Sequence, residues 1–388
     1  MTRWPEWPLA AAKKAWRSCT SFGVSKGEAR LAKAVELSLR PPSIFTRKAV
    51  QAFQIWRRVV SAAIAAFLGL LTIAGIGSLG AFAQTDVSFT EWTVPTKGSH
   101  PHDPLAAADG TIWYTGQMTS VLGRLNPRTG AFREYRTKTP ESGPHGLAAD
   151  QEGNIWFTGN FAGYIGKLDP NTGAVTEYHL PQEARDPHTP VFDEAGNLWF
   201  TVQGADMIGR LVPRTGDIKL VHVPTANALP YGIVVNSNGV PFFAEFGTNK
   251  LASIDPKTME IHEYPLPNAG SRPRRIAITS DGAVWYTDYA RGYLGRFDPQ
   301  ASTVREWPSP AGANSGPYGI ATLGDVVWYS ESGVKPNTLV RFDPRTEKFE
   351  SWTIPSGGGV VRNMATTPDG KLVLACSGVD RIALVDVH

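Results

Sequence analysis

The 388 residues carry a formal charge of only +3, but residues 1–58 hold twelve Lys/Arg against three Asp/Glu and the remainder holds 26 against 32. That remainder is mildly acidic and has no basic run suited to a phosphate backbone, which excludes an ordinary nucleic-acid-binding protein. The two cysteines, Cys19 and Cys376, are far apart and outside any CxxC, which excludes a disulfide scaffold or a zinc ribbon.

In chain order, residues 1–58 form a basic extension to which no function can be attached. Val59 to Ala83 is an uncharged apolar run, preceded by Arg57-Arg58 and ending in Ala81-Phe82-Ala83. A positive flank, an apolar centre and an A-x-A exit are the features of a secretory signal, cleaved after Ala83. The run is also long enough to be an uncleaved membrane anchor. In either case the charge rule places residues 84–388 outside, periplasmic or extracellular, with residues 59–83 the one membrane contact.

From Ser99 the chain repeats. Pro recurs at 101, 144, 187, 230 and 273, then at 317, with Val361 in the seventh place. A large aromatic recurs at Trp113, Trp156, Trp199, Phe242, Trp285 and Trp328, with Val373 in the seventh. A Gly-containing turn precedes most of these aromatics, and Leu/Ile-Gly-Arg/Lys elements come after several, as at Gly123, Gly166, Gly209 and Gly295. Each unit of about 43 residues therefore reads as four short strands, the period of a propeller blade. The prediction is an all-β, seven-bladed β-propeller over residues 84–388. The last repeat stops after its third strand, near Arg381 to Val385, and Phe89 to Pro95 supplies the missing fourth. Such closure removes an open sheet edge. Cys376, in the apolar run from Leu372, reads as a small buried hydrophobe.

In a propeller the innermost strand of each blade lines the channel, so one repeat position forms a ring. The residue after each repeat Pro gives His102, His145, His188, Tyr231, Arg274, Tyr318 and Arg362. Histidine accepts protons near neutrality and ligates metals, and Asp186, two before His188, can orient an imidazole or hold a hard cation. The plainer reading is that Pro-His simply starts an inner strand, its imidazole bonded to backbone. A second ring, at the end of the second strand, holds Gly116, Gly159, Val202, Glu245, Asp288, Glu331 and Ser377. Its three carboxylates could bind a cation, Glu245 among them, or could pair with nearby Lys and Arg. Arg272-Pro273-Arg274-Arg275 could anchor an anionic group or be an ion-paired surface.

The run Pro144-His145-Gly146-Leu147, Gly153-Asn154-Ile155-Trp156-Phe157-Thr158, Ile165-Gly166-Lys167-Leu168-Asp169-Pro170 and Gly173 to Pro181 resembles the virginiamycin B lyase family, the streptogramin lyases, across essentially the whole propeller. These are scaffold elements. The resemblance implies opening of a cyclic depsipeptide or lactone-type ester by β-elimination, with a base, a divalent cation (usually magnesium) and an expelled carboxylate. It implies His188 as base or final proton donor, His145 as its partner, and Asp186, standing where the family has Glu, as cation ligand or orienter. His102, Tyr231, Arg274, Tyr318 and Arg362 would face the substrate. The sequence departs from the family in placing the His pair in blades two and three, in Thr189-Pro190 after His188, in Pro241-Phe242, and in its export signal. The competing functions are a non-catalytic exported propeller that binds a peptide, glycan or protein, and a lactonase-like hydrolase. The latter needs an acidic and Asn calcium set that the inner strands do not offer. The expected ligand is a small cyclic ester or peptide, and the expected state a monomer.

Overall fold

The computed structural model describes residues 85–388. They form seven four-stranded antiparallel sheets, each meandering outward from the central channel. Blade one occupies 101–136, and blades two to six begin at 144, 187, 230, 273 and 317. Blade seven takes three strands from 361–387 and its outermost from Val87–Thr93. That strand pairs with Arg381–Val387 in unbroken antiparallel register, Val87 against Val387 and Thr93 against Arg381. The expected closure is therefore present, and the edge of blade seven is covered. The apolar run at 59–83 lies outside the described residues; among the described residues no helix is long and apolar enough to cross a membrane.

The core is divided by the repeat. One apolar cluster fills each of the seven seams between neighbouring blades. Trp156 of blade two, for example, packs with Leu198, Phe200 and Leu211 of blade three. The repeated Trp113, Trp156, Trp199, Trp285 and Trp328 are all essentially sealed from solvent, each worth roughly 1.5–3 kcal/mol or more of burial. An indole N–H still needs an acceptor when buried. Trp156 Nε1 donates to Asp150 at 2.7 Å and Trp199 Nε1 to Asp193 at 2.8 Å, which ties the seam to the turn after the inner strand.

The Gly of the Leu/Ile-Gly-Arg/Lys element has a steric cause. A Cβ on Gly166 would stand 2.2 Å from Phe157 Cζ, and one on Gly209 2.2 Å from Phe200 Cζ. The ring of the second strand lies flat across the third, and only glycine leaves it room.

Candidate functional site

Every innermost strand carries a β-bulge directly after its first residue, between Pro101 and Pro104 in blade one and at the equivalent place in the other six. A bulge sets two residues against one and re-aims side chains. The Thr or Ser after the aromatic pair fixes it. Thr158 Oγ1 accepts the Gly146 N–H at 2.9 Å and donates to the His188 carbonyl of the next blade at 2.8 Å. Thr115, Thr201 and Thr287 repeat the stitch to His145, Tyr231 and Tyr318, and Ser330 makes it to the Val361 carbonyl, one residue before Arg362, so neighbouring inner strands are pinned blade to blade.

The predicted ring is assembled. His145 lies between His102 and His188, with ring centroids 3.6 and 3.7 Å apart. His188 lies 3.9 Å from Tyr231. The Tyr231 and Tyr318 hydroxyls meet at 2.5 Å across the gap between blades four and six. The Arg274 guanidinium packs over four rings, nearest to Tyr318 at 3.8 Å, and donates to Tyr231 Oη at 3.4 Å. Arg362 Nε donates to Ser377 Oγ at 3.1 Å.

The three imidazoles are 2–3 % exposed. Burial holds all three well below the ordinary histidine range; Arg275, Arg362 and Arg274 push His102 further down, and neighbouring imidazoles do the same to His145 and His188. At neutral pH the row is therefore uncharged, and each ring can give or take one proton. Burial raises the Tyr231 hydroxyl, as does Tyr318 beside it, so Tyr231 keeps its proton.

The bulge also creates a second layer, immediately beneath the ring, that inspection of the sequence missed. Its members are Asp103, Gly146, Thr189, Gly232, Arg275, Gly319 and Asn363. Arg275 Nη2 donates to Asp103 Oδ1 at 2.6 Å, and its Nη1 to Asp103 Oδ2 and Thr189 Oγ1, each at 3.2 Å. Asn363 Nδ2 donates to Asp103 Oδ2 at 3.0 Å. His102 Nδ1 lies 2.8 Å from Asp103 Oδ1, and His188 Nδ1 2.9 Å from Thr189 Oγ1. This layer closes one end of a channel cavity of about 450 Å³, to which Asp103, Thr189, Arg275 and Asn363 contribute polar lining and residues such as Leu105, Leu147, Ile233, Ile276 and Met364 apolar lining.

The carboxylate on the histidine row is thus Asp103, while Asp186 bonds elsewhere. Left-handed backbone at Asp186 (φ 65°) accompanies a hydrogen bond from Asn160 Nδ2 of blade two to its Oδ1. Burial raises this carboxyl to about 6, against the opposing Asn160 bond. His102, Asp103 and His145 offer ligand atoms within 4.8 Å of one another. Arg275 already claims Asp103, so a dication there would face that guanidinium, and the site does not fit magnesium, which prefers oxygen ligands. Of the second ring's acids, Asp288 accepts from the Arg272 N–H and from Arg291, and Glu331 from Ser309, the Ala311 N–H and Thr338. Glu245 differs. Thr248 Oγ1 donates to its Oε2 at 2.7 Å, but Oε1 is buried without a partner, and burial lifts the carboxyl to about 7. The run at 272–275 is not one patch. Arg272 turns to the Ala269 and Ser271 carbonyls, Arg274 joins the ring, and Arg275 lies in the layer below.

The description of the virginiamycin B lyase family matches residues 70–322, more than half of the chain. The chain belongs to this family. A streptogramin B lyase structure is 25 % identical, with a TM-score of 0.72 over 78 % of this chain and 98 % of that one. Virginiamycin B lyase from Staphylococcus aureus is 23 % identical, with a TM-score of 0.71 over 77 % and 99 %. A catalytically inactive variant of the Staphylococcus aureus lyase, solved with quinupristin, is 22 % identical, with a TM-score of 0.71 over the same shares. No curated protein matches. The match to virginiamycin B lyases over nearly their whole length agrees with the seven four-stranded blades seen here.

Proposed function

We propose that the chain is an exported carbon–oxygen lyase that opens a cyclic depsipeptide or lactone-type ester by β-elimination. The observation that carries this reading is the row of three uncharged, buried imidazoles facing the Tyr231–Tyr318 hydroxyl pair and Arg274 across one ring. Family membership supplies the reaction class.

Elimination needs a base for a carbon-bound proton and stabilisation of the charge that develops on the neighbouring carbonyl oxygen. Neutral imidazole at the row can take the proton. The Tyr231–Tyr318 hydroxyl pair, with one hydrogen left beyond its mutual bond, and the Arg274 guanidinium are donors held at the same level, with Arg274 Nε buried and unpartnered. Low exposure keeps competing water away and strengthens each of these dipoles. Glu245 is the residue that would hold magnesium, since its free Oε1 and raised pKa suit a carboxylate that a cation would complete. When bound, the ion supplies Lewis-acid polarisation of the carbonyl. Asp186, with one oxygen on Asn160, is the second carboxylate of this reading.

The test is to incubate the purified protein with a type B streptogramin, with magnesium and with EDTA, and follow ring opening by mass spectrometry. Elimination leaves the mass unchanged and creates an alkene; hydrolysis adds one water. His145→Ala and His188→Ala should each lower turnover by roughly 10²–10⁴-fold, the ordinary share of general acid–base catalysis. Full activity in both variants would leave a ligand-binding propeller as the better reading, and a product heavier by water would leave a hydrolase.

A further inference from the structure

We infer that Arg275 is a positioning residue that fixes His102 and His188 in opposite tautomers, through Asp103 on one side and Thr189 on the other, so that His102 offers a proton-accepting Nε2 and His188 a proton-donating Nε2–H. The use of those two atoms on an ester rests on the lyase reading above; the tautomers do not.

The argument is a proton inventory. A guanidinium only donates and an ionised carboxylate only accepts. Asp103 takes two bonds from Arg275 and one from Asn363. His102 Nδ1, 2.8 Å from Asp103 Oδ1, must therefore carry hydrogen. A neutral imidazole has one N–H, so Nε2 of His102 is a lone pair. On the other side the Thr189 hydroxyl accepts from Arg275 Nη1. Its own hydrogen then has one acceptor in reach, His188 Nδ1 at 2.9 Å. His188 Nδ1 is thereby the lone pair, and its hydrogen sits on Nε2. The layer that carries this instruction is rigid. Arg275 and Asp103 are each 2–3 % exposed, and the Arg275 and Thr189 N–H groups are held by Thr287 and Thr201.

The two outer rings then divide the elimination between them. The α C–H bond breaks and its proton passes to His102 Nε2. The electron pair forms the C=C bond as the alkyl C–O bond breaks. The departing carboxylate keeps the C–O pair and accepts a hydrogen bond from His188 Nε2–H. This gives His102, with its carboxylate partner, the base's place, and His188 that of the donor.

The experiment is nitrogen-15 NMR of the imidazoles in the full chain, assigned with His102→Gln and His188→Gln. The two-bond nitrogen–proton pattern reports which nitrogen is protonated. The expected result is Nδ1–H at His102 and Nε2–H at His188. Thr189→Val should convert His188 to a tautomer mixture while leaving His102 unchanged, and Thr189→Ser should restore it. Arg275→Lys, which cannot fork to both partners, should free the Thr189 hydroxyl and mix His188, while His102, whose Nδ1 still faces an acceptor-only carboxylate, stays Nδ1–H. In turnover, Thr189→Val should lower kcat by about 10- to 10²-fold with little change in KM. An Nε2–H signature at His102, an Nδ1–H signature at His188, or an unchanged His188 tautomer in Arg275→Lys would overturn the inference. Correct tautomers in a protein that opens no ester would leave the inference standing and remove the lyase reading instead.

Discussion

Replacing Glu245 by Gln tests the burial of this carboxyl and the place of the cation together. Glu245 is fully buried, and its pKa is raised from 4.5 to about 7 by burial, with the Thr248 hydrogen bond opposing. Because the folded value lies above the unfolded one, the group's favourable contribution is complete below about pH 4.5 and is lost as pH rises through about 7. At one pKa unit per ~1.4 kcal/mol, ionisation costs the fold on the order of 3 kcal/mol by pH 8.5. For a domain of about 300 residues, an unfolding entropy of roughly 2 cal/mol/K per residue converts this to about 5 °C. Gln keeps the acceptor for Thr248 and cannot ionise. Its melting temperature relative to wild type should therefore rise by about 5 °C between pH 4.5 and pH 8.5, whatever constant offset its amide brings. Millimolar magnesium at pH 8.5 should raise the wild type and leave Glu245→Gln where it was. Calorimetry in the two buffers, with and without magnesium, reads both. A difference between variant and wild type that is the same at both pH values would refute the buried-carboxylate argument, and magnesium stabilising both equally would refute the ligand assignment.

The histidine row predicts the opposite limb. With folded values below the unfolded 6.5, its contribution is whole above about pH 6.5 and is lost as pH falls toward the folded values. His145→Leu should therefore lose less stability than wild type between pH 6.5 and 5 in thermal melts. Gly166→Ala should cost roughly 1–3 kcal/mol by overpacking against Phe157, and Phe157→Leu in the same chain should recover part of it; strictly additive losses in denaturant titrations would contradict the steric account.

The repeat was legible because its signals are local and recur: a proline that opens the inner strand, an aromatic for the seam, a glycine under a ring. The upper ring was legible for the same reason, since one offset from Pro names all seven members. The layer below it was hidden by the bulge. Regular alternation turns residue 103 away from residue 102, yet both face the axis, so Asp103, Thr189 and Asn363 did not register as one set. Taking the second residue after each repeat Pro would have shown Asp, Gly, Thr, Gly, Arg, Gly, Asn. Asp186 looked like the partner of His188 because it is close in sequence; positive φ and Asn160 take it elsewhere. Cys376 is buried as expected, its thiol pushed up to about 12 by burial. The expected signal or anchor lies outside the described residues.

The lower layer alternates polar and glycine around the axis, and seven is odd. Two alternating kinds cannot close on an odd cycle, so one pair of neighbours must repeat, and here it is Asn363 and Asp103, where blade seven meets blade one. The glycines show why the other seams need the alternation: a Cβ on Gly146 would stand 2.2 Å from Pro190 Cδ, and one on Gly319 3.1 Å from the Asn363 backbone. The parity defect is tolerated because the doubled pair is one donor and one acceptor, bonded at 3.0 Å. Its location sets a phase for the whole propeller. Strict alternation would return only by loss of blade seven or blade one, or by insertion of a glycine-bearing repeat between them, and each of these would part Asn363 from Asp103. The seam between blades seven and one is thus where blade number touches the hydrogen bonding of Asp103, and through it of His102.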